Sequence, residues 1–182
     1  MRCWTLEWKE ADRNEFVRYW ASQYLDTNER LYVEHIEQPL TADTVRALFQ
    51  WKNGGMLSVL KQRSVETNYI ARLDELARLP SDLDGAEFLR LWPRGGAIWR
   101  IFWLHCWKPK RFPIYDQHVY RAAARMCHWD GPEIPASDPR RIATYLERYL
   151  PFWEELGINS RDADRALWAF GKFLKGWNGA LP

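Results

Sequence analysis

The stretch from Ala97 to Trp107 constrains the fold most strongly, because its apolar side chains point in nearly all directions when it is wound as an α-helix. Only Arg100 and His105 interrupt the apolar run. A helix that is apolar on every side is stable only when other elements cover it. It is also much shorter than the ~20 residues that cross a bilayer. The segment therefore predicts a central helix buried in the core of a globular domain.

The remainder of the chain has a helical spacing of apolar residues and no convincing alternating strand pattern. Asp12 and Asp84 are each followed three residues later by a glutamate, an arrangement that is typical of a capping box at a helix start. The predicted helix starts are Asp12, Thr41, Ser64, Asp84, Asp138 and Asn159. We therefore predict an all-α fold, a compact multi-helix domain over residues 1–182. Two small helical lobes are possible, with a cleft near Asp116.

The cysteines and the N-terminal residues exclude several classes of protein. Cys3, Cys106 and Cys127 are odd in number and far apart, which argues against a disulfide framework and against a zinc or iron–sulfur site. The first residues carry charges throughout, and no run is long and apolar enough to cross a bilayer. We expect a cytoplasmic protein with no metal, no other cofactor and no membrane partner. The sequence does not indicate an oligomeric state.

Positive charge is concentrated in one part of the chain. Between Arg90 and Cys127 there are eight basic residues and a single acid, Asp116, although the whole chain has a net charge of only +2. A local basic stretch is typical of a surface that binds phosphates. Charge alone does not decide between such a surface and basic residues scattered over several solvated helix faces.

Asp116 is the candidate catalytic residue. It follows the loop Phe112–Tyr115 and precedes a segment, from Gln117 onward, that has a helical pattern. At the N-cap of that helix its carboxylate would accept backbone N–H bonds and lie at the positive end of the helix dipole. Both effects keep a carboxylate ionised. Aspartate is also a favoured cap without any chemical role, so spacing alone leaves both interpretations open.

Two motifs flank the central helix. Trp92-Pro93-Arg94-Gly95-Gly96 precedes it, and Asp116-Gln117-His118-Val119-Tyr120-Arg121 follows it. This arrangement resembles the core of the helix-hairpin-helix family of base-excision DNA glycosylases. In that family a Leu-Pro-Gly-x-Gly hairpin leads into a buried helix, and the catalytic aspartate follows in a context such as Asp-x-His-(apolar)-x-Arg. The run from Arg161 to Gly171 also looks like the closing helix of some members.

The resemblance implies an enzyme that flips a damaged or modified base out of duplex DNA and hydrolyses its N-glycosidic bond, with Asp116 as the catalytic carboxylate. The chain departs from the family at Arg94, which replaces the first hairpin glycine. It also departs at Ile98, where bifunctional members carry a Schiff-base lysine. The implied activity is therefore monofunctional, without a lyase of that type. The residues predicted to bind DNA are Arg94, Gly95, Gly96, Lys108, Lys110, Arg111 and Arg121, and the possible pocket residues are His118, Trp92 and Trp99.

Other interpretations belong to different classes of protein. One is a non-catalytic nucleic-acid-binding helical module that kept the fold and lost the activity. Another is a helical interaction protein that binds no nucleic acid, in which case the charge clustering is accidental. The segment Gln50–Asn53 could supply polar groups to a pocket, but we favour a plain helix end there, with Lys52 near the negative pole. For each of the twelve tryptophans, packing in the core is a simpler explanation than stacking on a base.

Overall fold

The computed structural model describes residues 11–158 and 160–177, and within these ranges every regular element is helical. The α-helices are α1 (Arg13–Ala21), α2 (Glu29–Val33), α3 (Ala42–Lys52), α4 (Val59–Asn68), α5 (Leu73–Ala77), α6 (Gly85–Leu91), α7 (Ala97–Trp107), α8 (Gln117–Met126), α9 (Asp138–Thr144), α10 (Leu150–Leu156) and α11 (Arg161–Gly176). A short 3₁₀ turn, Ile70–Arg72, precedes α5, and a π-helical turn, Tyr145–Tyr149, joins α9 to α10. The predicted all-α fold class is confirmed.

Helix α7 is the buried central helix that its composition predicts. Ile101, Phe102, Trp103 and Leu104 are completely shielded from solvent. The side chain of Arg100 reaches back to donate a hydrogen bond to the carbonyl oxygen of Leu89 on α6. Arg100 is half-buried, and this hydrogen bond satisfies one of the N–H donors of its guanidinium.

Helices α8 and α11 pack so closely that their backbones touch. Gly171 of α11 lies directly against the backbone of His118, near the start of α8. The carbonyl oxygen of Gly171 also accepts a hydrogen bond of 3.1 Å from Arg121. Phe16 and Trp20 of α1 cover α11 from the other side through ring contacts with Phe170. This packing fixes the first turn of α8 relative to α11.

The helix starts follow local sequence signals only in part. The predicted caps Asp12, Thr41 and Asp84 are confirmed, since each side chain accepts a backbone N–H bond from the residue three positions later. The prediction for Ser64 is wrong: it lies in the interior of α4, which Ser58 caps. Helix α4 is mostly exposed, so no apolar stripe marks its true start.

The predicted start of α9 also differs from the structure. Ser137 takes the cap position of α9, so Asp138 is the first helical residue and the prediction of a cap there is wrong. Ser160 caps the final helix by accepting from the backbone of Ala163. The predicted cap Asn159 lies outside the described residues.

In the part of the chain that the structure describes, no helix has the combination of length and apolar character that spanning a membrane requires.

Candidate functional site

Asp116 is the N-cap residue of α8, as predicted. Its Oδ1 accepts hydrogen bonds from the backbone N–H groups of His118, at 2.8 Å, and Val119, at 3.2 Å. These are two of the N–H groups that a helix start otherwise leaves without partners. The capping geometry uses one carboxylate oxygen and allows the other, Oδ2, to face a second group.

That second group is the ammonium of Lys52, the last residue of α3. Its Nζ lies 3.2 Å from Oδ2 of Asp116, and the Lys52 side chain is only 5% exposed, against 21% for Asp116. The amine also lies over the ring of Phe102, 5.6 Å from its centre. Our preference for a plain helix end at Gln50–Asn53 missed this contact, because Lys52 reaches across to a carboxylate 64 positions away.

The surroundings of Asp116 favour its ionised form. Burial by itself would raise the pKa of this carboxyl group, but the opposing interactions are stronger. The positive charge of Lys52, the neighbouring His118 and the backbone N–H bond together hold the pKa of Asp116 below its usual value. The carboxylate is therefore negatively charged throughout the neutral pH range.

Asp116 opens into a pocket of about 310 Å³, at the lower end of the range of ligand sites in proteins. Its walls come from the α1–α2 connection, the end of α3, the starts of α7 and α8, and α11. The aromatic and charged side chains that line it are Tyr24, Asp26, Trp51, Lys52, Asp116, His118, Arg161, Asp164 and Trp168. Flat apolar walls with a few convergent polar groups suit a planar heterocyclic ligand.

His118 faces the same pocket, two residues after Asp116. Two successive positions within a helix point in divergent directions, but Asp116 is the cap and lies outside the helix, so both side chains can converge. The His118 ring packs edge-on against Trp168, with ring centres 5.0 Å apart. Burial lowers the pKa of His118, which makes the neutral imidazole the form present at pH 7.

A network of ion pairs centred on Arg161 of α11 forms part of the pocket wall. Arg161 donates to both carboxylate oxygens of Glu29, at 3.0 and 2.7 Å, and also binds Asp164. Its guanidinium lies over the ring of Tyr32, 4.3 Å from the centre. The hydrogen bonds of Arg161 and Arg165 to Glu29 tie α11 to α2 and hold this wall in place.

The loop that carries Asp116 is anchored from below by His105. This buried ring lies between the hydroxyl of Tyr32, 2.8 Å from Nε2, and the carbonyl oxygen of Phe112, 2.7 Å from Nδ1. Because a carbonyl can only accept, Nδ1 carries the proton and Nε2 accepts from Tyr32. Burial lowers the pKa of His105 to about 3, so the ring stays neutral. The contact fixes the loop four residues before Asp116.

Replacing His105 with leucine is expected to lower the free energy of unfolding by about 3 kcal/mol, because a buried hydroxyl and a buried carbonyl are left without their partner. Urea unfolding of the two proteins checks this. His35→Leu is the matched control: His35 is only half-buried, and its ring bonds a carbonyl within its own helical turn. Equal destabilisation of the two variants would contradict the anchoring role of His105.

Three of the predicted site residues are used elsewhere in the structure. Arg121 is 3% exposed. Its guanidinium donates hydrogen bonds to the carbonyl oxygen of Gly171 and to both carboxylate oxygens of Glu133. The guanidinium of Arg121 is therefore engaged in holding α8 to its neighbours. Trp92 is buried in a stack with Phe88, and Trp99 packs against Phe49, so neither lines the pocket of Asp116.

The glycine turn before α7 has the backbone conformation that glycine permits. Gly95 and Gly96 have φ of 102° and 78°, in the region that other residues avoid. A Cβ on Gly95 would also strike the hydroxyl of Tyr69. Arg94 is exposed on this turn. Two residues beyond Gly96, Ile98 lines the pocket of Asp116, whereas Arg94, Gly95 and Gly96 are not among the residues that line it.

The remaining predicted DNA contacts lie on the loop after α7. Lys110 and Arg111 are exposed and Lys108 is half-buried. The guanidinium of Arg111 donates to the carbonyl oxygens of Asp82 and Leu83, so one of its nitrogens is already hydrogen-bonded within the protein. Lys110 lines a second pocket that shares Ile114, Arg161 and Asp164 with the first.

Among residues 11–158 and 160–177, no group of three or more His, Cys, Asp or Glu side chains is placed to hold a metal ion. Comparisons of the chain with protein-family models, with curated proteins and with solved structures gave no match. The function must therefore be inferred from the geometry of the site.

Proposed function

We propose that this protein is a monofunctional DNA glycosylase that hydrolyses the N-glycosidic bond of a damaged or modified base flipped out of duplex DNA. One observation carries the proposal. An ionised carboxylate, that of Asp116, is held at a helix N-terminus inside a pocket with aromatic walls and a buried cationic partner. That combination suits a planar base next to a sugar that becomes positively charged.

The chemistry follows from the charges. A base inside the stack cannot be reached, so the nucleotide must turn out into a pocket. Cleavage of the N-glycosidic bond develops positive charge on the sugar, which a nearby carboxylate stabilises, and the same carboxylate can orient the attacking water. Lys52 and the α8 backbone keep Asp116 ionised before the substrate arrives. Trp51, Tyr24 and Trp168 line the pocket and would contact the base.

The pocket rim carries apolar side chains that suit base flipping. Leu25 lines the pocket yet is 81% exposed, and Met56, two residues after the pocket residue Gly54, is also 81% exposed. Side chains of this kind insert between base steps and occupy the space that a flipped nucleotide leaves. The position of Leu25 at the pocket supports a DNA ligand over a small free metabolite.

The exposed basic residues of the Arg90–Cys127 segment would supply phosphate contacts. Reversing the charge in the double variant Arg94→Glu/Lys110→Glu is expected to weaken DNA binding equally for all sequences, because phosphates carry no base information. The slope of log affinity against log salt should fall by about one for each phosphate that the variant no longer neutralises. Fluorescence anisotropy with duplexes of unrelated sequence, at several salt concentrations, measures both effects.

The control for this variant is Arg78→Glu, an equivalent change at an exposed position outside the basic segment. It should leave the affinity near that of the natural protein. A sequence-selective decrease in the double variant would assign Arg94 or Lys110 to base contacts and contradict a phosphate role.

The proposed activity is tested by incubating the protein with duplexes that each contain one modified base, covering uracil, alkylated, oxidised and bulky adducts. Base release leaves an abasic site, which alkali converts into a strand break. We expect alkali-dependent breaks on at least one duplex. Because Ile98 stands where a Schiff-base lysine would be, breaks should not form without alkali.

Two other outcomes have clear meanings. DNA binding without release of any base would support the non-catalytic module, and the absence of salt-sensitive DNA binding would overturn both functions. Breaks without alkali, together with borohydride trapping that Lys52→Met abolishes, would assign lyase chemistry to Lys52. That result would contradict the monofunctional part of the proposal.

A further inference from the structure

A second acid, Asp164, reaches the same pocket from α11. Its side chain lines both the pocket of Asp116 and the adjoining pocket beside Lys110. It is only 7% exposed, which is rare for an aspartate. No feature of the sequence singled it out, and the glycosylase chemistry described above does not use it.

The hydrogen bonding of Asp164 is incomplete. Arg161 binds its Oδ2, while Oδ1 is shielded from solvent and has no hydrogen-bond partner among the residues that the structure describes. The other N–H groups of Arg161 are directed at Glu29 and at the hydroxyl of Tyr24. A buried carboxylate oxygen without a partner is costly. The cost disappears when that oxygen holds a proton and donates it to a ligand in the pocket.

Some of the charged groups around Asp164 lower the pKa of its carboxyl group, and others raise it. Arg161 on its own helix and Lys52 on α3 favour the carboxylate, whereas Asp116 and Glu29 oppose a further negative charge. The remaining neighbours, Tyr32 and Tyr149, are phenols whose pKa values burial raises, so they stay neutral.

The burial of Asp164 outweighs the effect of the neighbouring charges and raises the pKa of its carboxyl group to about 6. The pKa of Asp116 is shifted in the opposite direction. Two carboxyl groups displaced in this way suit an acid and a base of one reaction.

We propose that Asp164 is a second catalytic residue, the general acid that protonates the leaving base, and that the substrate is accordingly a neutral purine. This proposal rests on the glycosylase function. A neutral purine leaves as a poor anion unless N7 or N3 is protonated, whereas an alkylated cationic base leaves without a proton. A buried protonated carboxyl group beside the base therefore matters only for the neutral class.

The proposed reaction conserves atoms and charge. The bond between C1′ and the base nitrogen breaks, and its electron pair stays with the base, which receives the Asp164 proton. Water adds to C1′, and Asp116 takes the proton that the water loses. The products are the free neutral base and the abasic sugar. Passage of one proton from Asp116 to Asp164, directly or through solvent, restores both groups, and no oxidant or reductant is required.

Two classes of duplex test this role. One class contains a neutral purine: hypoxanthine, 8-oxoguanine or mispaired adenine. The other contains cationic 7-methylguanine. Asp164→Asn is expected to slow release of the neutral base by about 10²-fold or more, as removal of a general acid does. It should leave release of 7-methylguanine near the natural rate, which also shows that the variant is folded. Release of the neutral base by the natural protein should decline above about pH 6.

The matched control is Asp162→Asn, an exposed acid on the same helix turn that pairs with Arg165. It should leave both rates unchanged. If Asp164→Asn slows release of both classes of base equally, the residue has a structural role. If the natural protein releases only cationic or pyrimidine bases, no general acid is needed. Either result overturns the proposed role of Asp164, while the glycosylase function stands. Release of no base by the natural protein would overturn both.

Discussion

Replacing Asp116 with asparagine is expected to reduce the rate of base release by on the order of 10³-fold or more, because the charge that stabilises the positive sugar is removed. Asparagine keeps a side-chain oxygen that can cap α8, so the helix start survives. The effect should extend to neutral and cationic bases alike, since both form the same sugar cation. Single-turnover assays on each duplex, followed by alkali treatment, measure it.

The same variant leaves Lys52 buried without its anionic partner, so a change in stability must be separated from a change in chemistry. Removing one member of a buried ion pair costs about 3–5 kcal/mol, whereas replacing both with neutral or apolar groups is often neutral. We therefore expect Lys52→Met/Asp116→Asn to regain stability in urea unfolding without regaining activity. Recovery of base release in the double variant would contradict the catalytic role of Asp116. Asp130→Asn, an exposed acid away from the pocket, serves as the unchanged control.

Gly171→Ala is expected to cost about 3 kcal/mol or more of unfolding free energy, because the added methyl group overpacks the contact between two helices. A methyl group there would lie 2.6 Å from the carbonyl carbon of His118. The obstacle is backbone, which cannot rotate aside as a side chain would. Helix α11 must therefore move away from α8, and this movement separates Asp164 and Trp168 from Asp116. Both the unfolding midpoint and the activity should fall.

Gly176→Ala is the matched control on the same helix. A Cβ at this position meets nothing within 4 Å. Alanine is favoured over glycine in a helix by about 0.5–1 kcal/mol, so this variant should be as stable as the natural protein or slightly more stable. A Gly171→Ala protein with an unchanged unfolding midpoint would show that α8 and α11 are not in backbone contact.

Local patterns in the sequence were sufficient for the features that depend on neighbouring residues. The run Ala97–Trp107 is too apolar on every side to be anything but buried, and the structure places it in the core. Asp12 and Asp84 cap their helices because the group they bind lies only three residues away. Asp116 caps α8 for the same reason. In α4 the local signal was weak, and the predicted start at Ser64 was wrong.

The sequence by itself determined an all-helical chain, a buried central helix and an aspartate at the start of α8, because each follows from the order of neighbouring side chains. Only the tertiary structure decided that Lys52 pairs with Asp116, that Asp164 reaches the same pocket, and that Arg121 is buried. These contacts join residues far apart in the chain. They form only when α3, α8 and α11 pack in one arrangement, and the missing side chain of Gly171 permits that packing. The sequence shows how many charged side chains the chain carries, but the distances between the packed helices determine which of them form buried ion pairs.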